Sequence, residues 1–135
     1  MTNDSAPTPT TPSSAPLATL AMVTIDCDDA HEMALFWSEL LGGRITHDEG
    51  DYSMVTVGGV TLGFGRDPQY RAPQWSQAGT KQFHLDLSTH DLDAAAARAQ
   101  ELGATLADPQ PREAAGKWVV LLDPAGHPFC FAIWG

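Results

Sequence analysis

Hydrophobic and polar residues alternate along two stretches of this chain, and each stretch runs into a segment with helical spacing. The first covers residues 22–27 and is followed by apolar residues three or four apart between Met33 and Leu41. The second covers residues 83–88 and leads into an alanine-rich segment that ends at Gly103. Alternation predicts a strand, and the longer spacing predicts a helix. Because the two copies lie about sixty residues apart, the pattern predicts a tandem duplication of one module.

Shorter apolar runs predict three more strands in each half of the chain. The predicted strands are residues 20–27, 44–47, 53–57 and 60–64 in the first half and 82–88, 105–107, 117–122 and 128–134 in the second, with helices at 30–41 and 91–102. Each half then has the order βαβββ, which predicts an α+β fold. We expect a single domain over residues 18–135, made of modules 18–66 and 81–135 that are joined by a long loop, 67–80.

Composition excludes several classes of function. Seventeen acidic residues against seven basic ones give a net charge of -10, which would repel a nucleic-acid backbone. No stretch approaches the length of an apolar membrane span, and the N-terminus lacks the regions of a signal peptide, so we expect no membrane partner. Residues 1–17 are rich in Pro, Thr and Ser and are expected to form a disordered tail. The two cysteines, Cys27 and Cys130, fall in predicted strands, and we expect reduced thiols in a cytoplasmic protein.

Alternation also assigns the two faces of the predicted sheets. On the first strand of each half, the apolar residues would pack on the helix, and the residues between them would face the other way. On the last strand, Phe129, Phe131 and Ile133 would be buried. The face opposite the helices is then expected to carry Met22, Thr24, Asp26, His84, Asp86, Ser88, Pro128, Cys130 and Ala132.

Five sequence features follow one another in an order that resembles one protein superfamily. They are Asp26-Cys27-Asp28-Asp29, Phe36-Trp37 with Leu41-Gly42, Pro73-Gln74-Trp75, His84-Leu85-Asp86-Leu87, and the turn Asp123-Pro-Ala-Gly with the strand after it. With the βαβββ repeat, they resemble the vicinal oxygen chelate superfamily, which includes glyoxalases, extradiol dioxygenases and bleomycin-resistance proteins, and within it the glyoxalase-like domains. The resemblance implies two tandem modules whose cupped, mixed sheets share a pocket, with the helices outside. It bears on fold more than on function.

The resemblance also implies where a metal ion would be held. Metal-dependent members of the superfamily use one side chain from the first strand and one from the last strand of each half. Those positions fall on Met22, within residues 60–65, on His84 and on Cys130. One imidazole, one thiol and one thioether make a poor ligand set for a divalent ion, so we expect no metal and no other cofactor. Binding of a soft metal by His84, Cys130 and Met22 stays open.

His84 and Asp86 are the candidate catalytic residues. If the carboxylate of Asp86 or Asp26 reaches the imidazole of His84, it would fix the tautomer and leave a general base or an anchor for a ligand. A buried polar cluster that ties the two sheets together is the alternative. Of these three roles the buried polar cluster is favoured, because a core histidine with satisfied hydrogen bonds is the commoner outcome.

Aromatic residues complete the expected binding site. Trp75, near Tyr70 in the long loop, would either close the pocket or plug the junction of the modules, and Trp118 would serve as pocket wall, core or dimer contact. The candidate ligand-binding residues are therefore Met22, Thr24, Asp26, Trp75, His84, Asp86, Trp118 and Cys130. Trp37 and Cys27 are expected in the core, and His31, His47 and His127 at the surface.

We interpret the sequence as a metal-independent protein that binds a small molecule, such as a drug or an aromatic metabolite, in an acidic pocket lined by tryptophan. The alternative is an enzyme of the isomerase, lyase or dioxygenase kind that uses His84 as an acid, a base or a metal ligand. Exposed sheet edges would also allow a homodimer.

Overall fold

The computed structural model describes residues 16–75 and 83–133. Several predicted features lie outside the described residues. They are residues 1–15 of the expected tail, residues 76–82 with the end of the loop and the start of a predicted strand, and Trp134. Within the described ranges, no helix is long and apolar enough to cross a lipid bilayer.

The first module follows the predicted order. Its elements are β1 (Val23–Cys27), α1 (Ala30–Leu41), β2 (Arg44–Asp48), β3 (Tyr52–Val57) and β4 (Val60–Arg66). Asp29 begins α1 because its carboxylate accepts a hydrogen bond from the backbone N–H of Glu32 at 3.0 Å. Gly42 ends the helix in the left-handed region, with a φ of 69°. The Gly58-Gly59 turn between β3 and β4 is the predicted hairpin, with Val57 opposite Val60.

The second module repeats this design. Its elements are β5 (Leu85–Ser88), α2 (Leu92–Leu102), β6 (Thr105–Leu106), a short 3-10 helix (Arg112–Ala114), β7 (Trp118–Leu122) and β8 (Pro128–Ala132). Asp91 begins α2 by accepting from the backbone N–H of Ala94 at 3.0 Å, as Asp29 does for α1. Both helices therefore begin at an aspartate two or three residues after a strand ends, which is what the sequence pattern predicted.

The two sheets have the same topology. The strand orders are β1-β4-β3-β2 and β5-β8-β7-β6. In each sheet the first and last strands of the module are parallel, and the remaining neighbours are antiparallel. The predicted α+β fold of two tandem βαβββ modules is confirmed. β1 and β5 are consequently edge strands of their sheets.

One apolar core joins the modules on the helical side of both sheets. The ring of Trp37 in α1 meets Phe36 and Phe129 edge-on, with ring centroids 5.2 and 5.1 Å apart. Cys27 of β1 and Phe131 of β8 are buried in the same core. The predicted burial of Trp37 and Cys27 is therefore confirmed.

The opposite face of the second sheet carries a separate apolar cluster. Cys130, Val120 and Ala107 are buried there, and Trp75 and Trp118 pack against them. Cys130 thus points away from the helices while its neighbours Phe129 and Phe131 point toward them. This is the side assignment that alternation predicted for the last strand.

Two predictions at strand ends are wrong. β1 begins at Val23 rather than at residue 20, and the side chain of Leu20 is 87% exposed. Ile133, expected in the core, lies beyond the end of β8 and is 53% exposed. Alternation reports the side of a strand on which a residue lies, but it does not report where the covering helix or the partner strand ends.

Candidate functional site

A cavity of about 580 Å³ lies at the junction of the two modules. Its lining residues are Val23, Thr24, Ile25, Asp26, Trp37, Phe83, His84, Leu85, Asp123, His127, Pro128 and Phe129. This volume is within the range of about 300–1,000 Å³ that is typical of small-molecule sites. Three of the predicted ligand-binding residues, Thr24, Asp26 and His84, are among the lining residues.

The cavity lies at the edges of the sheets rather than on one face of either. Four consecutive residues of β1 line it, as do three consecutive residues from Phe83 to Leu85 at the start of β5. Consecutive residues of a strand point to opposite faces, so a cavity that contacts all of them must border the strand edge. A molecule in this cavity would therefore meet both side chains and the main chain of β1.

A buried carboxylate forms part of the cavity wall. Asp123 is 3% exposed and accepts hydrogen bonds from the backbone N–H of Ala125 at 2.9 Å and of His127 at 3.0 Å. The indole N–H of Trp37 donates to its other oxygen at 3.3 Å. Burial raises the pKa of Asp123 above its ordinary value, although these donors and the nearby imidazole of His127 act in the opposite direction. The carboxylate joins a turn of the second module to α1 of the first.

A second contact between the modules centres on His127. Its Nε2 atom lies 2.7 Å from the carbonyl oxygen of Asp26 in β1 and 3.1 Å from the hydroxyl of Tyr70. The Tyr70 hydroxyl itself donates to the carbonyl oxygen of Ala125 at 2.5 Å. Because both neighbours of Nε2 therefore act as acceptors, Nε2 carries a hydrogen and donates to them. His127 was expected at the surface, and its position in this half-buried network corrects that expectation.

The predicted inward-facing polar residues of the second module do come together. Nε2 of His84 lies 3.3 Å from Oδ1 of Asp86. The donor atoms of His84, Asp86 and Cys130 all lie within 4.8 Å of one another. Cys130 is 2% exposed, whereas the side chains of His84 and Asp86 are 23% and 48% exposed. Of the two carboxylates considered as partners of His84, Asp86 is the one placed beside it.

The two tryptophans cover this part of the second sheet. Trp75 packs against the cluster around Cys130 and donates from its indole N–H to the carbonyl oxygen of Pro109 at 2.8 Å. Trp118 packs in the same cluster. Both residues therefore lie on the side of the sheet that carries the candidate polar residues, where they form an apolar surround.

The equivalent part of the first module is filled by packing. The Tyr52 hydroxyl donates to the sulfur of Met22 at 3.0 Å. A Cβ atom on Gly63 would lie 2.6 Å from that hydroxyl, 3.0 Å from the sulfur and 3.1 Å from Oγ1 of Thr24. The first module therefore has neither an imidazole nor a carboxylate at these positions. The residues do not fit a metal site that draws ligands from both modules, which the resemblance implied.

Comparison with known proteins identifies the family. The profile described as the glyoxalase-like domain matches residues 22–132. The chain belongs to the glyoxalase-like domain family. The predicted membership of the vicinal oxygen chelate superfamily is confirmed.

Several solved structures share the fold of this glyoxalase-like domain. A hypothetical protein from S. aureus is similar with a TM-score of 0.65 and 14% identity, over 88% of this chain and 96% of its own. The fosfomycin resistance protein FosX from Mesorhizobium loti is similar with a TM-score of 0.63 and 15% identity, over 89% and 94%. A bleomycin-binding protein from Streptomyces verticillus, solved with copper(II)-bleomycin, gives a TM-score of 0.53 and 19% identity, over 89% and 100%. No curated protein sequence matches the chain.

Sequence reasoning missed the part of the site that joins the modules. Asp123 was recognised only as the first residue of an Asp-Pro-x-Gly turn. An aspartate that begins a turn commonly accepts from the backbone two residues further on, and this local signal was present. Its bond to Trp37 and the contact of His127 with Asp26 join residues 86 and 101 positions apart, so they depend on how the modules pack.

Proposed function

We propose that this glyoxalase-like domain binds a small aromatic molecule that donates hydrogen bonds or carries a positive charge, and that the cavity at the module junction holds it. The observation that carries the proposal is the composition of the cavity wall. The aromatic residues Trp37, Phe83 and Phe129 and the acidic residues Asp26 and Asp123 all line the same space of about 580 Å³. Rings favour a planar apolar body, and carboxylates favour donors or cations.

The main chain of β1 adds directional hydrogen-bond donors and acceptors to this wall. β1 pairs with β4 on one side, and its other edge borders the cavity. An edge strand presents backbone N–H and C=O groups that a ligand can bond. The acidic residues beside this edge would discriminate against an anionic ligand of the same shape.

The names of two neighbours with this fold support the proposal. One is named as a bleomycin-binding protein and one as a fosfomycin resistance protein. Sequestration of a drug is therefore one form that the proposed binding would take, and binding of an aromatic metabolite is another. That the chain acts in the cytoplasm, as a homodimer, or without nucleic acid stays a prediction.

A second candidate function is catalysis by His84. The imidazole lines the cavity, and its Nε2 atom lies 3.3 Å from the Asp86 carboxylate. A carboxylate beside an imidazole can orient it as a general acid or base toward a bound substrate. A His84→Gln variant would lose turnover but keep binding if this role is correct.

The test compares a cationic and an anionic aromatic dye. Full-length protein is titrated with proflavine and with 1-anilinonaphthalene-8-sulfonate while dye fluorescence is recorded. Proflavine is expected to bind with one site per chain, and the anionic dye is expected to bind more weakly. Asp26→Asn should weaken proflavine binding by about twofold to fivefold, as expected for an exposed charge pair worth up to about 1 kcal/mol.

Asp28→Asn is the matched control, because Asp28 is an exposed neighbour that does not line this cavity. It should leave the affinity for proflavine unchanged apart from a small long-range effect. Equal binding of both dyes, or equal losses in the two variants, would contradict the proposed site.

A further inference from the structure

Three metal-binding side chains converge on the face of the second sheet that lies away from the helices. His84, Asp86 and Cys130 each offer one donor atom, and these atoms lie within 4.8 Å of one another. Asp86 and Cys130 are register partners on the parallel strands β5 and β8, and His84 is two residues before Asp86 on the same face. We infer that the second module alone binds a zinc-like divalent ion through these three residues.

Comparison of the two modules shows why the site belongs to one of them. In the first module, Thr24 is the register partner of Gly63, as Asp86 is of Cys130 in the second. Met22 is two residues before Thr24, as His84 is before Asp86. The duplicated positions therefore carry Met, Thr and Gly in one half and His, Asp and Cys in the other. The inferred site takes all three ligands, including Asp86, from one half. It therefore differs from the ligand set of the superfamily, which takes side chains from both halves.

Packing prevents the first module from contributing. The Tyr52 hydroxyl and the Met22 sulfur are in contact above Gly63, and they leave no room for a larger side chain there. The sequence-based expectation of no metal considered ligands from both modules, or Met22 with His84 and Cys130. It did not consider Asp86 as the third ligand. The inferred site therefore replaces that expectation for the second module.

The distances suit a tetrahedral ion. With metal-to-ligand bonds of about 2.0–2.3 Å, donor atoms around tetrahedral zinc lie about 3.4–3.6 Å apart. Nε2 of His84 and Oδ1 of Asp86 are already 3.3 Å apart. No pair of the three donor atoms is more than 4.8 Å apart, about 1.2 Å beyond the longest of these separations. Three protein ligands leave one coordination position for water.

The donor types and their surroundings favour zinc over magnesium or calcium. Imidazole, carboxylate and thiolate together suit a borderline-soft ion, whereas magnesium and calcium require oxygen ligands. Binding would convert the Cys130 thiol to a metal-bound thiolate and release its proton to the solvent. Cys130 is buried in an apolar cluster with Val120, against which Trp75 and Trp118 pack, and the half-exposed Asp86 marks the side open to solvent.

The test uses cobalt(II) as a spectroscopic substitute for zinc, added to the full-length, metal-stripped protein under reducing conditions. One equivalent is expected to bind, with the visible absorption of a tetrahedral ion and a sulfur-to-cobalt charge-transfer band. Stoichiometric zinc should displace it and abolish both signals. This inference does not depend on the proposed ligand cavity, because the only probe is the metal.

Variants assign the ligands. Cys130→Ser should abolish the charge-transfer band, whereas Cys27→Ala, a matched change at the other buried cysteine, should retain it. Asp86→Asn alters a half-exposed side chain and should weaken cobalt binding by at least about 100-fold, since even outer partners of ligands cost about 10–100-fold. Absence of stoichiometric binding, loss of the band in Cys27→Ala alone, or unchanged affinity in Asp86→Asn would overturn the inference. Circular dichroism of each variant confirms that it is folded.

Discussion

The hydroxyl of Tyr70 links the loop before the second module to the turn at Ala125. Its removal measures how much this link contributes to the free energy of unfolding. The hydroxyl donates to the carbonyl oxygen of Ala125 at 2.5 Å and accepts from Nε2 of His127 at 3.1 Å. Tyr70→Phe removes the hydroxyl and keeps the ring. Ala125 is only 5% exposed, so its carbonyl would lose a partner in a place that water reaches poorly.

The expected loss can be worked from these contacts. A buried group that loses its hydrogen-bond partner costs about 1–3 kcal/mol. His127 keeps its contact with the Asp26 carbonyl oxygen at 2.7 Å, so it adds little. We therefore expect Tyr70→Phe to lower the free energy of unfolding by about 2 kcal/mol, with an unchanged dependence on denaturant.

The effect should also depend on pH in a defined direction. Burial, followed by the charge of Asp123, raises the pKa of Tyr70 above its ordinary value. A raised pKa in the folded state means that the neutral phenol stabilises the protein fully below the unfolded pKa of about 10, and that this contribution is lost at higher pH. The difference between the wild type and Tyr70→Phe should be constant up to about pH 10 and shrink above it.

Urea unfolding followed by fluorescence measures both effects. Tyr52→Phe is the matched control, because the Tyr52 hydroxyl donates only to a thioether, a weak acceptor. It should cost less than about 0.5 kcal/mol. Equal losses in the two variants, or a difference for Tyr70→Phe that grows above pH 10, would refute the reasoning.

Two further predictions concern the strands. Gly63→Ala should cost about 1–3 kcal/mol of unfolding free energy, because its new Cβ would lie 2.6 Å from the Tyr52 hydroxyl, and Tyr52→Phe in the same chain should recover part of the loss. Gly59→Ala, which meets no atom within 4 Å, is the control, and an equal loss there would contradict the argument. Burial raises the pKa of the Cys27 thiol to about 11, so little of it is thiolate at pH 8. In a Cys130→Ser variant, Ellman's reagent should therefore label Cys27 of the native protein at least about 100-fold more slowly than Cys27 of the protein unfolded in urea. Labelling at the rate of an exposed thiol would contradict it.

The fold could be predicted from the sequence because its determinants are local. Asp29 and Asp91 begin helices shortly after alternating strands, and Gly42 and Gly103 end them. The alternation of residues in β8 placed Cys130 on the face opposite Phe129 correctly. Each of these signals lies within a single helical turn or a single strand, so it can be recognised without knowing the tertiary structure. The duplication of the module repeats the signals in the second half.

The candidate site was only partly predictable. Alternation placed His84, Asp86 and Cys130 on the same face of the second sheet. The soft-metal site that the sequence analysis left open, however, had Met22 and not Asp86 as its third ligand. The register between β5 and β8, which sets Asp86 opposite Cys130, is the observation from which Asp86 is inferred as a ligand. The contact of Tyr52 with Met22 could not be predicted, because it joins β3 to the residue before β1 across the intervening strand β4, over the space that Gly63 leaves.

A single substitution at residue 63 cannot give the first module a metal-binding side chain, because the space above Gly63 is already occupied by the Tyr52 hydroxyl and the Met22 sulfur. By register, Tyr52 lies opposite Gly65 as Trp118 lies opposite Ala132, so both modules carry an aromatic residue at this place. In the first module the phenol reaches across Gly63 to Met22, whereas in the second a cysteine stands where Gly63 would be. A side chain added at residue 63 would collide with the phenol before it could bind an ion. The same position of the module is therefore filled by packing in the first half, whereas in the second half it carries the inferred metal site.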